Sequence, residues 1–170
     1  MRSWSSNAGA EALPAALRHQ AQREAHPPES GSPARQAPAF ELQDLKGRPH
    51  NLTVYAGKTL DLFFFATWCP PCVEQLRQVE IAAARLRGRG YRILLVAMRD
   101  RESPESLKAF AEARTLGVPL AWDGDGAVAE SYRVTGIPTH VVIAPNGRIV
   151  YKGDELPAGF EQDGAGLLPP

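Results

Sequence analysis

Cysteine is scarce in this chain of 170 residues, which has two, Cys69 and Cys72. Two thiols can form one bridge, which excludes a small secreted scaffold held together by several disulfides. Charge of one sign is not in excess either, because 19 lysines and arginines balance 19 aspartates and glutamates. Without a basic excess to neutralise phosphates, neither nucleic acid nor an acidic membrane is an expected partner.

Long hydrophobic runs are also missing. The most apolar stretches, residues 62–66 and 93–98, are far shorter than the roughly 20 residues that a membrane-spanning helix needs. Residues 1–39 lack the apolar core of a secretory signal. The chain as written is therefore expected to be soluble and to carry no transmembrane segment.

Composition divides the chain into three parts. Residues 1–39 are rich in Ala, Pro, Ser, Glu, Arg and Gln and carry little apolar surface to offset the entropy of ordering, so a disordered N-terminal tail or tether is predicted. Residues 40–153 are long enough for one domain with its own core. Residues 154–170 contain several glycines and prolines and are predicted to be a flexible tail.

Strand and helix patterns alternate along residues 40–153. Nearly continuous apolar runs predict buried strands at 59–65 and 91–98, and helical spacing predicts a helix over 70–87 that ends at Gly88. The other predicted elements are strands at 40–43, 51–52, 118–122, 137–144 and 148–152, helices at 104–115 and 127–132, and a hairpin turn at Pro145-Asn146-Gly147. This order predicts a mixed α/β sandwich with a parallel central sheet extended by a hairpin.

The segment Trp68-Cys69-Pro70-Pro71-Cys72 directly follows the first long predicted strand. A buried strand that ends in Cys-x-x-Cys and opens a helix is typical of a dithiol redox centre. The two thiols lie within reach of each other across one helical turn. A disulfide between them can therefore close and open without moving the fold.

The two cysteines are predicted to have different roles. Cys69 is the candidate nucleophile, just before the helix with its sulfur exposed, where the dipole and free N–H groups stabilise a thiolate. Cys72, one turn inside the helix and more buried, is predicted to resolve the mixed disulfide with a substrate. Pro70 and Pro71 have no N–H to donate to the thiolate, which favours the disulfide form and hence the reductase direction. The alternative for Cys69 is an inert buried cysteine.

Metal binding is the alternative use of the cysteine pair. A single Cys-x-x-Cys supplies two of the four ligands of a zinc site, and His140 is predicted to be an ordinary strand residue. No metal and no other cofactor is therefore expected. A metallochaperone or a redox-regulated binding module stays an open alternative. A peroxiredoxin-like peroxidase would need Thr-x-x-Cys, a spacing that Thr67 and Cys69 do not have.

Several distant segments carry a family resemblance. Residues 63–72, with the sequence FFFATWCPPC, together with GIPT at 136–139, resemble the thioredoxin-like superfamily. Residues 37–42, 44–47 and 144–150 make the chain most similar to its TlpA/ResA branch. The resemblance implies a thioredoxin-like three-layer sandwich with a mixed central sheet and a C-terminal β-hairpin. It also implies a thiol–disulfide oxidoreductase, of a kind often exported or membrane-tethered in bacteria.

The resemblance also implies where substrates bind. A cis peptide bond before Pro138 would turn the backbone of Ile137 toward the cysteines, where an extended substrate segment could pair with it. The alternative for Pro138 is an ordinary strand-entry proline. Trp68 is expected to shield the dithiol and, together with Pro70, to offer a flat docking surface for the substrate. The alternative for Trp68 is a plain core residue. The expected partners are protein disulfides or dithiols and an unidentified redox partner. The protein itself is expected to be a monomer.

Asp61 is an unusual residue in an apolar strand. Relatives usually carry Asp or Asn six residues before the first cysteine, where this chain has Phe63. Asp61 lies two residues earlier on the same side of the strand, which makes it a candidate proton relay to Cys72. The simpler interpretation is that Asp61 lies near the strand entrance and reaches water or Lys58.

Overall fold

The structure is a computed structural model that describes residues 35–157. Within that range the elements are β1 (Glu41–Gln43), β2 (Pro49–Asn51), β3 (Thr59–Phe65), α1 (Pro70–Leu86), β4 (Tyr91–Met98), α2 (Pro104–Arg114), β5 (Leu120–Asp123), α3 (Ala127–Ser131), β6 (Thr139–Ile143) and β7 (Ile149–Gly153). A 3-10 turn, Arg87–Arg89, extends α1. In this part of the chain no helix is both long and apolar enough to cross a membrane.

The central sheet has five strands in the order β5-β4-β3-β6-β7. β3, β4 and β5 are parallel because α1 and α2 form the crossovers between them, whereas β6 is antiparallel to both β3 and β7. The turn between β6 and β7 closes with Ala144 N donating to Arg148 O at 2.8 Å, and Gly147 there has a φ of +80°. The predicted mixed sheet and its C-terminal hairpin are therefore confirmed.

Side chains of β3 alternate between two packed layers. Phe63 and Phe65 pack with α1 and α2, while Leu62 and Phe64 pack with α3 and with β1. All seven residues of the strand are buried, as expected for a central strand covered on both faces. The arrangement is the predicted three-layer sandwich, and it fixes the end of β3 from both sides.

The first helix ends at Leu86, within one residue of the predicted end, but the chain does not reverse at Gly88. It continues through the 3-10 turn and reverses at Gly90, whose φ is +77°. Glycine adopts this left-handed conformation without the steric penalty of a side chain. The reversal at Gly90 brings the chain directly into β4.

The ordered domain begins before the predicted boundary at residue 40. Ala37 is buried and its N–H donates to the Gly147 carbonyl at 2.9 Å, and Gln36 pairs with Arg148. The domain extends to this segment because the hairpin turn offers backbone groups with which the segment forms hydrogen bonds. Composition does not show such a long-range pairing.

The other end of the domain also extends beyond its predicted limit. The hydroxyl of Tyr151 donates to the Glu155 carbonyl at 2.8 Å, and Pro157 is buried. Residues 154–157 thus lie against the domain. The remainder of the two predicted tails, residues 1–34 and 158–170, lies outside the described residues.

Asp44 holds the turn between β1 and β2. Its Oδ1 accepts hydrogen bonds from the N–H groups of Lys46 and Arg48, both at 2.9 Å, and its Oδ2 pairs with the Arg48 guanidinium at 2.6 Å. Burial acts to raise the pKa of Asp44, but the hydrogen bonds from Arg48, His50 and Lys46 outweigh it and lower the pKa to about 2. The charged carboxylate therefore stabilises the folded turn.

Replacing Asp44 tests this contribution. The pKa is lower in the fold than the ordinary value of 3.8, so the stabilisation is present above that value and is lost as the pH falls through about 2. Asp44→Asn is expected to reduce the free energy of unfolding at pH 7 by about 2 kcal/mol. This difference in stability between the two proteins should nearly vanish as the pH falls to about 2. Urea unfolding across this pH range measures it, with the exposed Glu41→Gln as control. A deficit that is independent of pH would contradict the assignment.

Candidate active site

Cys69 and Cys72 lie where β3 leads into α1 and are joined by a disulfide. Their Sγ atoms are 2.10 Å apart and their Cα atoms 5.3 Å apart. Cys69 is the N-cap of α1 in an extended conformation, and its Sγ accepts a hydrogen bond from Cys72 N at 3.4 Å. Pro70 takes the first helical position, where a missing N–H costs nothing. The sequence pattern therefore placed the pair correctly at the helix entrance.

The two sulfur-bearing residues are both shielded from solvent. Cys72 is fully buried, as predicted, but Cys69 is only 5% exposed. The prediction of an exposed Cys69 sulfur is therefore wrong for the disulfide form. Cys69 belongs to the packed cluster that also contains Cys72, Phe63 and Phe65.

Trp68 forms the exposed flank of the dithiol. The residue is 43% exposed, its Nε1 donates to the Asp100 carbonyl at 2.7 Å, and the guanidinium of Arg101 lies 5.0 Å from the centre of its ring. The hydrogen bond and the cation–π contact hold the ring in place. Of the two predictions for Trp68, a flat surface beside the dithiol fits its position and a core residue does not.

Glu102 anchors the loop that carries Trp68. Its Oε1 accepts a hydrogen bond from Thr67 N at 2.6 Å and its Oε2 accepts one from Ser106 Oγ at 3.1 Å. Ser103 and Ser106 form the capping box of α2, which sets Glu102 opposite Thr67. Sequence reasoning missed Glu102, whose only signal is its position just before the predicted helix at 104–115.

The peptide bond between Ile137 and Pro138 is cis, as the resemblance predicts. The bond immediately precedes β6, whose first residue, Thr139, pairs with Phe64 near the end of β3. Ile137 and Pro138 are half-buried, and Ile137 packs against the cluster that contains both cysteines. The loop before β6 therefore lies at the same edge of the sheet as the disulfide.

Asp61 reaches neither water nor Lys58. Its Oδ2 lies 2.9 Å from Nδ1 of His140, and both residues are fully buried. In the register of β3 and β6, Asp61 pairs with Val142 and Phe63 with His140, which makes Asp61 and His140 diagonal neighbours on one face. The simpler interpretation of Asp61 is wrong, and so is the prediction that His140 is an ordinary strand residue.

His140 connects Asp61 to the helix that carries the cysteines. Its Nε2 lies 3.1 Å from Oε1 of Gln75 on α1, and Gln75 Nε2 donates to the Asp154 carbonyl at 2.8 Å. The imidazole also stacks on Phe63, with ring centres 4.3 Å apart. Sequence reasoning missed His140 and Gln75 because only the antiparallel register of β3 and β6 reveals the contact.

Two tyrosines flank the buried pair. Burial raises the pKa of Tyr91 well above its ordinary value, and the charge of Asp61 and hydrogen bonding to it raise it further. Burial also raises the pKa of Tyr151, and the charges of Asp154, Glu155 and Asp61 act in the same direction. Both phenols stay protonated near neutral pH.

Neither the dithiol nor the Asp61–His140 pair gathers a larger ligand set. Over residues 35–157 no group of three or more His, Cys, Asp or Glu side chains is arranged to hold a metal ion. A structural zinc site is almost always completed by four ligands.

Known proteins share this arrangement. The AhpC/TSA family model matches residues 33–152. The chain belongs to the AhpC/TSA family. The thiol-disulfide oxidoreductase ResA of Geobacillus thermodenitrificans is 35% identical over 113 residues, which are 66% of this chain and 64% of that protein. The ResA protein of Bacillus subtilis is 31% identical over 122 residues, covering 72% and 67%.

A solved relative of this AhpC/TSA family member shows the same fold. The thioredoxin domain of a thiol-disulfide oxidoreductase from Bacteroides vulgatus matches with a TM-score of 0.65 at 27% identity, covering 75% of this chain and 91% of that domain. The thioredoxin-like resemblance and fold are therefore confirmed. The chain spans 64% of the length of the curated relatives that it matches first.

When the disulfide of this protein is reduced, the thiols of Cys69 and Cys72 should differ in reactivity. Cys69 caps the helix at the edge of the domain, whereas Cys72 is fully buried, so iodoacetamide is expected to modify Cys69 first. Mass spectrometry of a labelling time course after reduction by dithiothreitol measures both rates. In urea the two rates should converge. Equal rates in the folded protein would contradict the assigned roles.

Proposed function

We propose that this protein is a thiol–disulfide oxidoreductase whose Cys69–Cys72 pair exchanges with the disulfides of protein substrates. The observation that carries the proposal is a disulfide at a helix entrance, between an N-cap cysteine and a fully buried partner 5.3 Å away between Cα atoms. The relatives named thiol-disulfide oxidoreductase ResA support it.

Cys69 is the nucleophile in this proposal and Cys72 the resolving thiol. The Cys69 thiolate, favoured by the dipole of α1 and the N–H of Cys72, attacks one sulfur of the substrate disulfide and releases the first substrate thiolate. Cys72 then attacks Sγ of Cys69 and releases the second. The two cysteines are oxidised to a disulfide and the substrate disulfide is reduced to two thiols.

Four residues at the edge of the disulfide are proposed to hold the substrate: Trp68, Pro70, Ile137 and Pro138. Trp68 and Pro70 are exposed on the helix side, and the cis-linked Ile137 and Pro138 are half-buried in the loop before β6. An extended substrate segment would pair with the Ile137 backbone and lie against the Trp68 ring.

Insulin reduction driven by dithiothreitol tests the activity. Cys69→Ser and Cys72→Ser are expected to abolish turnover. Trp68→Ala should lower kcat/KM for insulin by up to about tenfold, the value of one good aromatic contact, without slowing reduction of the Cys69–Cys72 disulfide by dithiothreitol.

Ile81→Ala is the matched control for Trp68→Ala. Ile81 lies on α1 and, like Trp68, is 43% exposed, so its loss should leave insulin turnover unchanged. Turnover that survives loss of either cysteine would contradict the proposal. Stoichiometric copper or zinc retention without reductase activity would favour the metallochaperone instead.

We further propose the reductase direction, because Pro70 and Pro71 deprive the Cys69 thiolate of two N–H donors. A less stabilised thiolate favours the disulfide and lowers the reduction potential. Equilibration with glutathione buffers measures that potential. A value above about −150 mV, approaching those of the strong oxidants, would contradict the reductase assignment.

Asp61 stays a candidate proton relay, but its carboxylate is bonded to His140 and reaches α1 only through His140 and Gln75. A protein partner that renews the dithiol, and a monomeric state, are also predictions of this proposal.

A further inference from the structure

The buried pair Asp61 and His140 contacts α1 at Gln75, which lies one helical turn after Cys72. We propose that His140 gives a proton to Cys72 when the disulfide opens and takes it back when the disulfide closes, while Asp61 and Gln75 position the imidazole. This proposal rests on the thiol–disulfide exchange proposed above and adds to it the group that supplies the proton.

Gln75 determines the protonation of one ring nitrogen. Its amide nitrogen must face the Asp154 carbonyl, 2.8 Å away, because a carbonyl oxygen only accepts hydrogen bonds. Its amide oxygen therefore faces Nε2 of His140 at 3.1 Å, and this oxygen also only accepts. In the disulfide form Nε2 must carry a proton.

Asp61 determines the other nitrogen. Its Oδ2 lies 2.9 Å from Nδ1 of His140, and in the proposed pair the carboxylate accepts and Nδ1 donates. With both nitrogens donating, His140 is an imidazolium whose charge is balanced by Asp61. Both residues are fully buried, and each stabilises the buried charge of the other.

The Nε2 side of the imidazole faces the helix turn that carries Cys72. Gln75 follows Cys72 by three residues on α1, a spacing that brings two side chains to the same helix face with Cβ atoms roughly 5–6 Å apart. Phe63 stacks on the imidazole with ring centres 4.3 Å apart and packs in one cluster with both cysteines. Nδ1, by contrast, is held by Asp61 on the far side of the ring.

The proposed step balances protons and electrons. A donor dithiol supplies two electrons, its thiolate attacks Cys69, and Cys72 departs as a buried thiolate. Nε2 of His140 gives this thiolate a proton, which leaves a Cys72 thiol and a neutral imidazole that keeps Nδ1–H on Asp61. Gln75 keeps its hydrogen bond to the Asp154 carbonyl, and the Cys72 thiol then donates to the bare Nε2. In the reverse step Nε2 takes the Cys72 proton as Cys72 attacks Cys69.

The other groups around His140 do not change charge in this step. Asp61 faces it from β3, while Gln75 faces it from α1 and is neutral. Tyr91 on β4 and Tyr151 on β7 both have raised pKa values and stay protonated. The redox-linked change in charge next to Cys72 therefore falls on His140.

Nitrogen-15 NMR of the histidine rings at pH 7 tests the proposal on the unaltered chain. In the disulfide form both nitrogens of His140 should carry protons, and in the form reduced by dithiothreitol only Nδ1 should. His50 is the internal control, since it is also buried beside an aspartate, with Nε2 3.3 Å from Asp44 Oδ2. Its state should be the same in both forms. Identical protonation of His140 in both forms would overturn the proposal.

The equilibrium with glutathione between pH 6 and pH 8 gives a second readout. Because Cys72 takes its proton from His140, reduction of the unaltered chain leaves one additional proton in solution. The equilibrium constant for reduction by glutathione should therefore rise about tenfold more per pH unit than in a variant without Asp61 and His140. Asp61→Val combined with His140→Phe removes both partners together and leaves no buried charge unpaired. Equal slopes would overturn the proposal.

His50→Phe is the control variant and should keep the slope of the unaltered chain. The two proposals fail in different ways. If dithiothreitol and diamide do not interconvert a dithiol and a disulfide form, the proposed function fails. If the forms interconvert and His140 does not change, only the proton site fails.

Discussion

The junction between β3 and α1 is the constraint on which the rest of the structure depends. β3 is buried on both faces, so the point where it ends is fixed by the core, and Cys69 caps the helix that starts there. Because the core fixes this junction, the disulfide bond between Cys69 and Cys72 is the part of it that can open and close. The flanking Trp68 and the cis-linked Pro138 lie at the same edge of the sheet, where a substrate can reach the sulfur pair.

A second constraint follows from burial behind that junction. Relatives usually carry an acid or amide at the position of Phe63, and here the acid stands two residues earlier, at Asp61. An isolated carboxylate there would be costly, since a buried charge loses its hydration. His140 on the neighbouring strand pairs with this carboxylate, and Gln75 contacts its other nitrogen. The chain thus has Phe63 at this position, and its buried acid, Asp61, is connected to the helix of the cysteines through His140 and Gln75.

Local patterns predict the fold well, and long-range contacts explain what they miss. Apolar runs, the cap at Ser103 and the turn at Asn146-Gly147 are properties of neighbouring residues, so strands, helices and the cysteine pair could be placed from the sequence. The partner of Asp61 depends on the register of β3 against β6, and the burial of Cys69 depends on its packing in the cluster with Phe63 and Phe65. Neither is visible in a linear pattern.

The central claim is that Cys69 attacks a substrate disulfide and Cys72 resolves the product. Trapping measures this most directly: Cys72→Ala is mixed with a peptide that contains a disulfide, and adducts are mapped by mass spectrometry. The account predicts a mixed disulfide on Cys69 that dithiothreitol cleaves, and none on Cys72 in the Cys69→Ala protein. Absence of an adduct on Cys69, or an equal yield on Cys72, would contradict it.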